Sequence, residues 1–249
     1  MGQTDTVKED RYRDVEAALW AGLGLEPSER MIDLPAPATG VRVLEVGDGP
    51  PVLFVHGTTA SGANWAPLVA RLQGYRCLLL DRPGCGLSPP LEGGFADIDA
   101  FAAWADRLVP DVLDGLGLDR ARVVSTSLGS YLGIRSAAAH PERVERLAVV
   151  AVPMGAPVEE LPFSMRLAGL PGMAAVMGRV PPTRGMVKSI LGQLGMGAAL
   201  RDGRISPEFF EWFVALLRHT GTMRNELAMM PPIITWRGEV PPGMAHQDE

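Results

Sequence analysis

The chain has 249 residues, 47% of them hydrophobic, with 23 Lys and Arg against 29 Asp and Glu and a formal net charge of −6; this suits one large domain, or a core with a smaller appendage. An acidic balance without a basic block interleaved with aromatics argues against nucleic acid as a partner and mainly supports solubility. No run reaches the roughly 18 apolar residues of a membrane span, the charged N-terminus is unlike a signal peptide, and Cys77 and Cys85 are too few for a disulfide framework and lack metal-ligand spacing, so a cytoplasmic chain with neither metal nor organic cofactor is expected.

Asp10 to Leu25 reads as an amphipathic lead-in helix, with Val15, Leu19 and Leu23 spaced by four. Short strands are expected at Met31–Leu34 and Val41–Val46. After the turn Gly47-Asp48-Gly49-Pro50 comes Val52–Val55, apolar at every position, as in a strand covered on both faces. Helical and strand patterns then alternate: helix Trp65–Leu72, strand Arg76–Leu80, helix Phe101–Leu116 with a kink expected at Pro110, strand Ala121–Ser125, helix Leu128–Ala139 and strand Leu147–Val152. This alternation predicts an α/β fold, a mostly parallel sheet with helices on both faces. Cys77 falls inside an apolar run and is expected to be a buried thiol.

Beyond Pro153 the pattern changes. Ten of the 12 methionines lie past residue 150, Gly and Pro recur, and helical stretches such as Met173–Met177 and Pro207–Leu217 stand without clear strands. The expected organisation is a core over residues 1–153, a helical lid over 154–239, and a disordered tail over 240–249.

The sharpest chemical signal is Val123-Val124-Ser125-Thr126-Ser127-Leu128-Gly129-Ser130, where a strand runs into a helix through a very short turn. A turn this tight strains its central residue and lifts that side chain above the sheet edge, and it crowds the residues two positions to either side. Centred on Ser127, those neighbours are Ser125 and Gly129, both small; centred on Ser125, one is Val123, which does not fit. The N–H groups and dipole at the start of the following helix favour negative charge beside Ser127. On this segment alone, a serine that merely caps a helix stands equally open.

Three further segments carry a resemblance. His56-Gly57-Thr58-Thr59 follows the strand Val52–Val55; Asp81-Arg82-Pro83-Gly84-Cys85-Gly86-Leu87-Ser88 follows Leu78–Leu80; Ala139-His140-Pro141-Glu142-Arg143-Val144 leads into Leu147–Val150. In order and spacing these resemble the hallmarks of the α/β-hydrolase superfamily over about residues 30 to 153, and the helical region after them resembles that family's lid. The resemblance implies Ser127 as the nucleophile, with the backbone N–H groups of Thr58 and Leu128 as the oxyanion hole. It gives His56, Asp81 and Arg82 roles in bracing loops; Gly84 and Gly86 are expected to supply positive φ, and Trp65 is expected to pack. Ser125 stands where the family usually has glycine.

Such a serine needs a general base and an acid to orient it, which in this fold follow the serine in the order Asp or Glu, then His. No strand ending in a Gly-x-Asp loop follows the lid, Pro153, Met154 and Gly155 leave no acid after Leu147–Val152, and Glu159 and Glu160 come late. His140 belongs at the far end of the helix begun by Leu128, His219 after a lid helix, and His246 in the tail. Ile233-Ile234-Thr235-Trp236-Arg237 resembles a hinge returning toward the sheet. A chain ending soon after it reads as an interrupted family member whose C-terminal part is incomplete, leaving an exposed apolar sheet edge. The expected partner is a small apolar ester-type substrate, with Met165, Leu167, Met173, Met177, Phe209 and Phe210 as either pocket lining or lid core. The alternative is a non-catalytic binding or regulatory protein that keeps the pocket.

Overall fold

Side chains alternate between the two faces of a strand, so a run such as Val52–Val55 must be covered on both sides. The computed structural model describes residues 3–151, 170 and 173–229. Its elements begin with α1 (Gln3–Gly22), β1 (Ser28–Pro35), β2 (Ala38–Val46), β3 (Pro51–Val55), a 3-10 turn at Gly62–Trp65 running into α2 (Ala66–Val69), and β4 (Arg76–Leu80). They continue with α3 (Ile98–Leu116), β5 (Ala121–Thr126), α4 (Leu128–Ala139) and β6 (Val144–Val150). Past these lie α5 (Met173–Met177), α6 (Arg184–Leu191), α7 (Gly197–Arg201), α8 (Pro207–His219) and α9 (Thr222–Met229). The expectations for Pro153 to Leu167, Ile233–Arg237, His246 and the tail over 240–249 lie outside the described residues.

The six strands form one sheet in the order β1-β2-β4-β3-β5-β6. The segment β4-β3-β5-β6 is parallel, while β2 runs antiparallel to both β1 and β4. The two faces sort by residue parity. Leu53, Val55, Leu78 and Leu80 pack with Leu108, Val112 and Leu113 of α3 and Tyr131 and Leu132 of α4. Val52, Phe54, Cys77 and Leu79 face the other way, onto Tyr12 and Leu19 of α1, Trp65, and Trp212 and Phe213 of α8. Each such large apolar side chain contributes on the order of 1.5–3 kcal/mol when fully buried. The mostly parallel α/β sheet expected from the alternation is therefore present, and α8 joins α1 in covering one of its faces.

Several boundaries differ from the sequence reading, two of them for a visible reason. β6 starts at Val144 rather than Leu147, because Val144 and Arg146 pair with Ala121 and Arg122 of β5, with Glu145 standing in the register shift between them. α1 starts at Gln3 rather than Asp10, its first turns being polar while Tyr12, Leu19 and Trp20 provide the burial. Pro110 lies inside α3, which continues through it. Just before it, Ser136 Oγ of α4 donates to Ala105 O (2.7 Å) and accepts from Val109 N (3.3 Å). A hydroxyl from the neighbouring helix thus enters the hydrogen-bond ladder where proline weakens it.

Candidate active site

β5 ends at Thr126 and α4 begins at Leu128, leaving one residue, Ser127, to make the turn. Its backbone sits at φ 52°, ψ −121°, a conformation that costs on the order of 1–3 kcal/mol and persists only where the surroundings enforce it. Three helices in the same molecule show what ordinary capping looks like. Asp97, Thr183 and Ser206 are extended, and their side chains accept from Ala100 N, Met186 N and Phe209 N. Ser127 is not extended and its hydroxyl makes no capping bond; it is also only partly buried.

The crowding expected around the turn is present. A Cβ on Gly129 would meet the carbonyl oxygens of Val55 and His56, the latter at 2.6 Å. Glycine there lets the start of α4 press against the end of β3. Ser125 is buried, with its Oγ 3.5 Å from Ala148 O, and a Cβ on Gly133 would lie 3.2 Å from that same Oγ.

The loop after β3 comes directly against the turn. A Cβ on Gly57 would lie 2.9 Å from Ser127 Cβ and 3.5 Å from Ser127 Oγ, so only glycine admits this approach. Residues 56–59 and 127–128 are therefore brought together, and the N–H groups of Thr58 and Leu128 have no acceptor among the described residues.

His56 is fully buried, with Nδ1 2.7 Å from Gly57 O and Nε2 accepting from Arg82 N at 3.1 Å. Burial, then the Arg82 charge, hold its pKa well below the ordinary histidine value, so the ring is neutral with its proton on Nδ1. Both nitrogens are committed, one to the same loop and one to the backbone of the 81–88 loop. Arg82, also fully buried, donates from Nε to His56 O (3.1 Å) and from Nη2 to Gly57 O (2.9 Å). Asp81 accepts from Gly62 N (2.6 Å), Leu87 N (3.1 Å) and Arg42 Nη1 (3.3 Å). It fixes the 81–88 loop, where Gly86 has φ +55° and no room for a Cβ beside that carboxylate. Trp65 packs on Phe54 at 5.4 Å between ring centroids.

One residue of this constellation was not legible in the sequence. Glu226 of α9 is almost fully buried; its Oε1 accepts from Arg82 Nη2 (2.6 Å) and Cys85 Sγ (2.9 Å), and its Oε2 from Thr59 N (3.4 Å). Burial, then the Glu226 carboxylate, hold the Cys85 thiol well above its ordinary value, so it stays protonated and donates. Arg224-Asn225-Glu226 matches none of the motifs singled out in the sequence. Thr222 Oγ1 accepts from Gly86 N and Asn225 Nδ2 donates to Gly84 O, each at 2.9 Å. α9 is thus joined to the 56–59 loop that lies against Ser127 and to the 81–88 loop.

The other described histidines lie elsewhere. His140 ends α4, about 18 Å from its start at 1.5 Å per residue over 12 residues, and its Nδ1 is 3.5 Å from Glu142. His219 ends α8; burial, then Arg218, Arg11 and Lys8, push its pKa down. A groove of about 650 Å³, lined by Glu16, Trp20, Glu29 and Arg42 among others, includes no residue of the 56–59 loop or the turn at 127. Among the described residues no cluster of three or more His, Cys, Asp or Glu is placed to hold a metal, and no helix is long and apolar enough to cross a membrane.

The family model described as alpha/beta hydrolase fold matches residues 50–177, just over half of the sequence. The chain belongs to the alpha/beta hydrolase fold family. A 2-hydroxy-6-oxononadienedioate/2-hydroxy-6-oxononatrienedioate hydrolase of Paraburkholderia phymatum is 31% identical over 119 residues, covering 45% of this chain and 39% of that protein. A protein of the same name from Dechloromonas aromatica is 31% identical over 121 residues, with the same shares covered. The matched stretch thus spans about two fifths of these relatives' length. Among solved structures, carboxylesterase CesB from Bacillus subtilis superposes with a TM-score of 0.63 at 21% identity, over 88% of this chain and 70% of that one. The epoxide hydrolase CorEH gives 0.60 at 18%, over 83% and 74%. At these identities the structural likeness concerns the fold.

Proposed function

We propose that this chain is a serine hydrolase acting on an ester or similar acyl bond, with Ser127 as its nucleophile. One observation carries the reading: Ser127 holds a positive-φ turn between β5 and α4, its hydroxyl making no capping bond and no hydrogen bond among the described residues, against the Gly57-Thr58 loop. Attack of Ser127 Oγ on a carbonyl carbon forms the Oγ–C bond and shifts the π electrons onto the carbonyl oxygen. The Thr58 and Leu128 N–H groups receive that oxyanion, and loss of one such donor costs roughly 10²–10³ in rate. The relatives named as hydrolases, and a fold shared with a carboxylesterase, support the reading.

The serine proton must pass to a base. Among the described residues, His56 has both ring nitrogens bonded, to Gly57 O and Arg82 N, and His140 and His219 end helices α4 and α8. These placements favour a second reading, a protein that binds an acyl compound at the same turn without cleaving it.

Release of p-nitrophenol from acetate, butyrate and octanoate esters separates the two. Turnover that disappears in Ser127→Ala supports the hydrolase. Saturable binding of the esters with no release beyond the Ser127→Ala background supports the binding protein and overturns the hydrolase.

A further inference from the structure

We propose that Glu226 is a positioning residue for the oxyanion loop, so that the aim of the Thr58 N–H is set from helix α9. The inference rests on the reading of Ser127 and Thr58 given above and adds a residue that acts through others rather than touching substrate.

The chain of contacts is short. Glu226 Oε1 takes a hydrogen bond from Arg82 Nη2 at 2.6 Å, and that same nitrogen donates to Gly57 O at 2.9 Å, while Arg82 Nε donates to His56 O. His56 Nδ1–H adds a second donor on the Gly57 carbonyl. Gly57 C=O and Thr58 N–H belong to one planar trans peptide unit and point in opposite directions. Two donors gripping the carbonyl on one side therefore fix the N–H on the other. The next peptide is held too: Thr59, at φ 52° without being glycine, gives its N–H to Glu226 Oε2. Glu226 thus engages both peptide units that flank Thr58, one through Arg82 and one directly.

The charge arrangement fits the same role. A carboxylate near an oxyanion would oppose it, yet here the carboxylate is paired with a fully buried guanidinium, leaving the local charge balanced. Arg82 cannot keep its place without a counter-ion, since the desolvation of an unpaired buried charge drives it toward water or other partners. Thr222 and Asn225 of the same helix bind the 81–88 loop that carries Arg82, so α9 holds the whole assembly in register.

The test compares the labelling rate of Ser127 by a fluorophosphonate with native-state amide hydrogen exchange at residues 57–60, in wild type, Glu226→Gln and Glu226→Asp. Glu226→Gln keeps the shape but not the charge or full acceptor set. It is expected to slow labelling about ten-fold or more, as for a misplaced oxyanion donor, and to speed exchange at 57–60 while β3 and β5 stay protected. Glu226→Asp is expected to restore part of both. Should Glu226→Gln fail to fold, the double change Arg82→Met with Glu226→Met removes the buried charges together and is expected to show the same slowed labelling and faster loop exchange. Labelling and loop exchange at wild-type values in a folded variant would overturn the proposal and leave the serine-hydrolase reading standing. A wild type that never labels at Ser127 would overturn that reading instead, and the exchange data alone would then decide whether Glu226 holds the loop.

Discussion

At the scale of single residues, the turn at 127 explains why small side chains sit where they do. Gly129 is required because its backbone lies against the carbonyls of Val55 and His56, and Gly57 because it lies against Ser127 itself. Gly129→Ala is expected to destabilise the fold by about 1–3 kcal/mol, the usual range for overpacking, seen as a lower denaturant midpoint. Gly57→Ala is expected to leave the fold in place yet move the loop from Ser127, lowering esterase turnover at least ten-fold. The elbow was legible in the sequence because a steric rule, small residues two positions either side, needs no knowledge of the rest of the chain. Glu226 was not legible, because its meaning depends on a helix docking on loops more than 140 positions earlier.

At the scale of elements, the lead-in helix is tied down by a buried polar network. Tyr12 donates to Glu16 (2.7 Å) and accepts from Trp212 Nε1 (3.2 Å), while Arg42 joins Glu16 to Asp81. Periodicity showed α1 as an amphipathic helix but gave no sign that Tyr12 and Glu16 would face inward. The Tyr12 hydroxyl also lies 3.2 Å from Ser61 Oγ, so Tyr12→Phe takes away the partner that the buried Trp212 Nε1 and Ser61 Oγ have among the described residues, and it is expected to lower stability by about 1–3 kcal/mol, measurable by thermal or denaturant unfolding. Burial raises the Asp81 pKa from 3.8 to about 6, Glu16 adding to the rise against the pull of Arg42. The native state then binds more protons at this site than the unfolded chain between these values, so the site's contribution to stability falls as pH rises through that window. Unfolding measured from pH 4 to 7 should show wild type losing ground to Asp81→Asn as pH increases. A difference independent of pH would contradict that protonation.

At the scale of the whole molecule, the described residues place β1 and β6 at the two edges of the sheet. β6 is the outermost strand of the described sheet, with Val149 41% and Val150 46% exposed, an arrangement that invites edge pairing between copies. Val149→Lys is expected to reduce concentration-dependent light scattering without altering ester turnover. The alternation of apolar strands and helices made the doubly covered sheet readable in advance; the partner of an edge strand and the docking of α8 and α9 depend on long-range packing that local pattern does not encode. The central claim, an accessible hydroxyl at 127 facing the amides of 58 and 128, is tested most directly by peptide mapping after fluorophosphonate treatment of the folded chain. A single adduct on the peptide containing Ser127, absent after Ser127→Ala, is the expected result; a folded chain that carries no adduct, or carries it at another residue, would contradict it.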